Sequence, residues 1–353
     1  MTKPLQLGIV GAGNISGSHL DACQKSGAAK TLAICDIIKE RAQARQTQYN
    51  IGDVYVDYHD LLARKDIEAI VVAVPNQLHH EVTIAALKAG KHVLCEKPMS
   101  FKPEWAESMV EAAKKSGTVL QIGMVSRYQS GAQYLKQQVV KGNLGDIYFA
   151  RAQYLRRSGI PGWGSWFTRK DMAGGGPLID IGVHKLDLAW YLLGCPKPVS
   201  VTGLAYAAFG PRQMGLGDWG TPEWDGYYDV EDFAAAFIRF ENGAAISLEA
   251  SWAGYTEPLE SMHLLGTEKG AQLFTNKVLL LTQDEKHPLD STISFSKNGG
   301  EFATPFAAQS AAFAQAVRGE AECVAPGEHG LVVTRMLNAI YESARQGAEV
   351  RLG

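Results

Sequence analysis

Two constellations in the 353-residue sequence combine residue types and spacings suited to chemistry. The first is Gly11-Ala12-Gly13-Asn14-Ile15-Ser16, with Asp36 following after about twenty residues. A glycine turn that ends one strand and opens a helix can hold a pyrophosphate. Gly11 permits the tight turn, Gly13 lets the backbone come close, and the helix start offers unpaired N–H groups and a positive dipole end. Ser16 takes the third glycine position, a departure that a small residue accommodates. Asp36 can accept both hydroxyls of an adenosine ribose and would repel a 2′-phosphate, so NAD is favoured over NADP; Lys39 and Arg41 temper that preference. The second constellation is Gly174-Gly175-Gly176-Pro177-Leu178-Ile179-Asp180-Ile181-Gly182-Val183-His184. Asp180 and His184 are four apart and would share one helix face. An aspartate can orient a histidine ring and stabilise its charged form, and histidine suits proton transfer from a hydroxyl. A polar helix face continuing through Asp187 and Tyr191 is the plainer reading of the same stripe. One nitrogen ligand among Asp180, His184 and Asp187 does not favour a metal site.

Lys97 ends the Glu96-Lys97-Pro98 strand, and Pro98 pushes its backbone towards an extended form. A lysine beside a nicotinamide can orient a substrate hydroxyl and support the alkoxide that forms as hydride leaves. A solvated strand-end lysine is the alternative. Asn76 and His79 lie just past the fourth strand, where ligands of such sheets sit, although Asn76 could equally cap the next helix. The expected dinucleotide contacts are therefore Gly11, Gly13, Asn14, Ile15, Asp36, Asn76, His79, Glu96 and Lys97. Tyr154, Arg156, Arg157, Trp163 and Trp166 precede the Asp180 helix. Aromatic faces beside polar groups suit a pyranose ring, and the arginines could instead receive a sugar phosphate. Trp219 and Trp224, among Asp218, Glu223 and Asp225, read as a lid, a subunit contact or a loop packed on the core.

These residues need elements to hold them. Short apolar runs (Leu5–Val10, Lys30–Cys35, Val54–Val56, Ala69–Val74, His92–Cys95, Thr118–Ile122) alternate with helical segments (Ile15–Lys25, Lys39–Tyr49, Glu81–Ala89, Pro103–Lys115). That alternation predicts βαβ units and a parallel sheet covered on both faces. After about Gly123 the pattern changes. Ser130–Lys141 and Leu178–Leu193 read as helices, and Tyr148–Leu155 as a strand. Val199–Tyr206, Phe233–Phe240, Ala244–Ser251, Ser261–Leu265, Ala271–Phe274 and Val278–Thr282 also read as strands, with two late helices at Ala307–Arg318 and Gly330–Arg345. Glu241-Asn242-Gly243 reads as a hairpin turn. Residues 207–229 have no period, and a loop of that length in a compact domain is often functional. The expected division is a dinucleotide-binding domain over 1–124 and a substrate-binding α/β domain over 125–353.

Composition sets the outer limits. An apolar share of 46% and a charged share of 20% are ordinary for a globular protein. A net charge of −3 gives no general pull towards nucleic acid or anionic membrane. No apolar run reaches the roughly 18 residues that would span a bilayer, and the N-terminus lacks a signal-peptide pattern, so a cytoplasmic protein is expected. Five scattered cysteines, none at CxxC spacing, read as reduced structural thiols.

In GAGNIS, AVPNQLH, CEKP at Cys95–Pro98 and GGGPLIDIGVHKLDLAWYLLG at Gly174–Gly194, the sequence resembles the Gfo/Idh/MocA family of oxidoreductases over its whole length. The resemblance implies an N-terminal Rossmann domain and a C-terminal α/β domain with a large, mostly antiparallel open sheet that often joins dimers or tetramers. It implies that Lys97, Asp180 and His184 are the catalytic lysine, aspartate and histidine, with the histidine as base. It further implies oxidation of a secondary hydroxyl of a sugar, glycoside or inositol, and suggests Arg127 as a substrate contact. The expected substrate residues are then Arg127, Tyr154, Arg157, Trp163, Trp166 and His184. Two alternatives stay open. One is a redox-neutral glycosidase working through a 3-keto intermediate; the other is a non-catalytic sugar or dinucleotide sensor.

Overall fold

The computed structural model describes residues 3–295 and 304–353. The chain starts with β1 (Leu5–Val10), α1 (Asn14–Ser26), β2 (Ala29–Cys35), α2 (Lys39–Tyr49), β3 (Asp53–Tyr55), α3 (Tyr58–Leu62), β4 (Ala69–Val72), α4 (His79–Lys88), β5 (His92–Cys95), α5 (Pro103–Ser116) and β6 (Leu120–Ile122). The six strands pair in parallel in the order β3-β2-β1-β4-β5-β6. Leu7, Ile9, Ile34, Val71 and Leu94 are all but inaccessible. Strands covered on both faces read as unbroken apolar runs, and each such side chain contributes roughly 1.5–3 kcal/mol. The order reverses between β1 and β4. Loops leaving the carboxyl ends of these two strands diverge there, which opens a crevice for a ligand.

The second half begins with α6 (Ser130–Val140), β7 (Ile147–Leu155) and the short α7 (Lys170–Ala173). A π-turn over Leu178–Gly182 then runs directly into α8 (Val183–Leu192). The strands β8 (Pro198–Tyr206), β9 (Phe233–Phe240), β10 (Ala245–Ser251), β11 (Leu259–Gly266), β12 (Gly270–Phe274), β13 (Lys277–Asp284) and β14 (His287–Ser294) follow. The chain ends with α9 (Pro305–Val317), α10 (Gly327–Gln346) and β15 (Val350–Arg351). Nine strands form one sheet in the order β14-β13-β12-β11-β7-β10-β9-β8-β15. Among the described residues, β7–β10 is the one parallel pair of this sheet. Along β9, Ala234, Ala236, Ile238 and Phe240 are buried and their neighbours are not, the period-two pattern of a sheet covered on one face. A parallel sheet and a larger, mostly antiparallel one are the architecture the sequence implies.

The chain divides into two compact units, Met1–Tyr128 with Asn298–Thr334, and Gln129–Lys297 with Arg335–Gly353. The first unit thus includes a return segment that a single cut near residue 124 leaves out. The reason is apolar contact: Phe313 and Ala314 of α9 belong to the same core cluster as Leu5, Leu7, Ile9 and Leu20. Thr304 caps α9, its Oγ1 accepting the Ala307 N–H at 3.1 Å, and Pro305 occupies the first turn. At the other end Arg318 donates to the Lys3 carbonyl at 2.6 Å. Among the described residues no helix is long and apolar enough to cross a membrane.

Candidate active site

The residues singled out by chemistry fall into two groups, one in each unit. In the first unit, the Gly11 N–H donates to the Cys35 carbonyl at 2.8 Å, locking the turn after β1 onto the end of β2. Gly11 has φ +102°, and a Cβ there would lie 2.3 Å from the Ala73 carbonyl oxygen. Only glycine fits both the dihedral and the gap. Gly13 caps α1, and a Cβ built on it would meet nothing within 4 Å, so the space in front of the helix is open. No acidic side chain stands in the first turn and none caps it, which leaves the leading N–H groups of Asn14 and Ile15 to an incoming anion. Ser16 is fully buried and its hydroxyl donates to the Gly13 carbonyl at 2.6 Å. The third glycine position is thus filled by a side chain that folds back onto the turn. Asp36 accepts the Ala12 N–H on one oxygen and the Ile38 N–H on the other, both at 2.8 Å. Each oxygen keeps a second lone pair for a ribose hydroxyl. The open helix start, the glycine gap and the fixed carboxylate suit an adenine dinucleotide.

The Glu96-Lys97-Pro98 segment is braced from two helices. His19 of α1 meets Glu96 Oε1 at 2.8 Å, and both side chains are buried. Glu96 Oε2 accepts the Lys97 N–H at 3.1 Å. His79, at the start of α4, faces the Pro98 carbonyl through Nδ1 at 2.7 Å and the Val74 carbonyl through Nε2 at 3.0 Å. Burial holds its pKa below the ordinary value against the pull of those carbonyls. Lys97 itself is half-buried, and its peptide bond to Pro98 is cis. Two sequence expectations change here. His79 is 1% exposed with both nitrogens engaged, so it ties the loop after β4 to the loop after β5 rather than facing a nicotinamide. Glu96 likewise serves as a buried brace. Asn76 opens a short 3-10 turn ahead of α4 and stays partly accessible.

Arg127, suggested as a substrate contact, is also corrected. It is 0% exposed, and its Nη1 lies 2.6 Å from the Val324 carbonyl and 2.9 Å from His329 Nδ1. That guanidinium fastens the return segment to the end of the parallel sheet.

In the second unit, Asp180 stands in the π-turn and His184 one turn on, in α8. The sequence predicts a single α-helix here. The wider turn is a variant found often at functional sites. The Trp252 indole N–H donates to Asp180 Oδ2 at 3.0 Å, and Trp252 is itself completely buried with Ile160, Ile181 and Val230. The start of the turn is held by Glu231. Its carboxylate accepts the Gly176 N–H at 3.0 Å, the Leu178 N–H at 3.1 Å and the Tyr341 hydroxyl at 2.9 Å. Burial raises the Glu231 carboxyl above its usual range, and those backbone donors pull it back. Tyr341, half-buried with its hydroxyl against that carboxylate, keeps its proton well above the ordinary phenol range. Neighbouring Asp232, 0% exposed, accepts the N–H groups of Ala208, Phe209 and Gly210 at 3.0, 2.6 and 2.9 Å. Asp187 is buried on α8.

The aromatic residues gather around the 207–229 loop, which is irregular apart from a 3-10 turn at Gly210–Arg212 and a single bridge from Leu216 to Ile160. Trp163 is 7% exposed; its indole donates to the Gly210 carbonyl at 2.8 Å and its ring stacks with Trp224 at 5.9 Å. Trp166 packs on Phe167, which in turn meets Trp219 edge-on at 4.6 Å. Trp219 and Trp224 are 46% and 58% exposed, so the array has an open rim. Tyr154 lies under Arg156, which also donates to its hydroxyl at 3.2 Å, while Lys185 pairs with Glu260 at 2.8 Å. Arg157 forms an exposed ion pair with Glu257.

Trp252, Glu231, Asp232, Tyr341 and His19 escape the sequence reading. Each acts on a partner distant in sequence: Trp252 reaches Asp180 at a separation of 72, and even Asp232 reaches back 22 to 24 residues. The one local sign is the acid pair Glu231-Asp232 just ahead of a strand whose alternate residues are buried.

Residues 5–124 match the model of an oxidoreductase family with an NAD-binding Rossmann fold, and residues 132–272 match the GFO/IDH/MocA C-terminal domain. A D-glucoside 3-dehydrogenase of Escherichia coli (strain K12) is 35% identical, over 99% of this chain and 98% of its own. A 1,5-anhydro-D-fructose reductase of Ensifer adhaerens is 28% identical over 98% of both. A solved levoglucosan dehydrogenase, in complex with NADH and levoglucosan, shares the fold with a TM-score of 0.88 at 24% identity over 99% of each chain. The chain belongs to the Gfo/Idh/MocA family and is an NAD-binding oxidoreductase.

Proposed function

We propose that this protein is an NAD-dependent dehydrogenase that oxidises a secondary ring hydroxyl of a sugar, glycoside or inositol, with glycosides the first class to try. The observation that carries this reading is Asp180, held by Trp252 on a turn anchored at its start, with His184 on the turn that follows. It stands in a chain similar end to end to a D-glucoside 3-dehydrogenase. When bound, NAD supplies a nicotinamide C4 that takes the hydride from the carbinol carbon. His184 removes the hydroxyl proton. Asp180 orients the imidazole and stabilises its charged form. Lys97 donates to the same oxygen and supports the developing alkoxide. Asp36 prefers a free ribose 2′-hydroxyl, and the exposed neighbour Ile37 brings no cation that would welcome a 2′-phosphate. Tyr154, Arg157, Trp163 and Trp166 remain the substrate contacts of this reading. The half-buried outer face of the large sheet, where Phe149 meets Phe237 at 6.2 Å, is where we place subunit pairing into a dimer or tetramer. A cytoplasmic setting belongs to the same reading.

The test is a screen of glycosides, free sugars and inositols with NAD, following NADH. One class should turn over, with kcat lowered about a hundredfold or more by His184→Ala and by Lys97→Met. Unchanged turnover in both variants contradicts the assignment. Release of aglycone without NADH supports the redox-neutral glycosidase instead. NAD binding with no turnover of any class supports the sensor.

A further inference from the structure

The geometry points to Glu231 as the positioning residue of the proton-transfer helix, acting with Tyr341; this rests on the reading of Asp180 and His184 given above. A helix start leaves N–H groups without partners, and Pro177 at this one has no N–H to offer. The two N–H groups that flank Pro177, on Gly176 and Leu178, both end on the Glu231 carboxylate. The Tyr341 hydroxyl adds a third donor. The fit is close on both sides. A Cβ on Gly175 would lie 1.9 Å from the Tyr341 hydroxyl oxygen, and one on Gly176 would lie 1.9 Å from the Glu231 carbonyl oxygen. The glycine run therefore exists to let this turn close on a buried carboxylate. Two residues after Leu178, the same turn presents Asp180.

The adjacent carboxylate extends the device. Asp232 gathers three N–H groups of residues 208–210, and the Gly210 carbonyl there receives the Trp163 indole. The Asp232 carbonyl accepts the Trp252 backbone N–H at 3.0 Å, and the Trp252 indole returns to Asp180. The two residues just ahead of β9 therefore fix the turn bearing Asp180, the base of the aromatic loop and the tryptophan that holds Asp180. All of these contacts lie within one unit. Misplacing a reacting group by about an ångström can cost a hundredfold in rate without weakening substrate binding.

The experiment compares Glu231→Gln and Tyr341→Phe with the parent, each as the NAD-loaded enzyme. An amide in place of the carboxylate loses an acceptor, and phenylalanine loses one donor only. Amide hydrogen exchange in residues 174–184 should quicken by about tenfold or more in Glu231→Gln and less in Tyr341→Phe, with residues 5–26 unchanged. For the sugar that the parent oxidises, kcat should fall roughly ten- to a hundredfold while KM for sugar and for NAD stays within about twofold. Exchange equal to the parent's in both variants overturns the proposal, as does a loosened turn with an unchanged kcat. So does a loss confined to KM. Should Glu231→Gln fail to fold, Tyr341→Phe carries the same two readouts. Should the parent oxidise no sugar, the functional reading fails separately, and the exchange measurement still decides whether Glu231 fixes the turn.

Discussion

Asp36 and Asp180 show how a carboxylate is made specific by what already holds it. Asp36 spends one lone pair of each oxygen on backbone N–H groups, which fixes its plane before any ribose arrives. Replacing it with alanine should weaken NAD about tenfold or more, the size of a lost hydrogen bond to a charged group, and should leave NADP binding unchanged or improved. Titration of both nucleotides checks this; equal losses for the two would mean that Asp36 only supports the turn. Asp180 owes its orientation to an indole 72 positions away. Spacing alone paired Asp180 with His184, but nothing local to either names Trp252. His79 and Arg127 carry the reverse lesson. Their residue types fit ligand binding, yet in buried positions His79 turns both ring nitrogens to main-chain carbonyls and Arg127 Nη1 meets the Val324 carbonyl and His329. Partner choice depends on which loops the fold brings near, and sequence spacing does not contain that information.

At the scale of elements, the parallel sheet was legible nearly strand for strand because its strands are apolar on both faces and bounded by helices. β1, α2 and β5 fall where the pattern puts them. Elements with weak internal patterns were not legible. β14 is exposed along most of its length, carries Pro288 and Asp290, and sits at the edge of its sheet, where no alternation is required. β15 has two residues, and α3 five. The sequence pattern of Leu178–Gly182 is that of ordinary helix, since the apolar period tolerates one wide turn. What sets it is the pair of anchors outside the helix, Glu231 at its start and Trp252 on Asp180. The same blindness explains α9. Its alanine-rich face and Phe313 were visible as a helix, but its place in the core of the first unit depends on contacts with β1 and α1 at the far end of the chain.

For the whole molecule, pH exposes a balance among buried and half-buried groups. Burial lowers the pKa of His79, His80, His92 and His263 in the folded chain. Groups with depressed folded values lend stability above the unfolded value, about 6.5 for histidine, and lose it as pH falls towards the folded values. Glu231, raised by burial, works in the opposite sense and gains as pH falls. Four imidazoles against one carboxyl predict a melting temperature that declines from about pH 6.5 downwards; a flat or rising curve over that range contradicts the balance. The central claim is that Lys97, Asp180 and His184 serve one hydride transfer from a sugar carbinol to NAD. The most direct measurement uses a substrate from the screen, deuterated at the carbinol carbon, with the nicotinamide read by proton NMR. The account predicts deuterium at C4 of the reduced nicotinamide, at a rate cut about a hundredfold or more by His184→Ala and by Lys97→Met while both variants still bind NAD. Deuterium that never reaches the nicotinamide, or that arrives at the parent's rate in both variants, would contradict it.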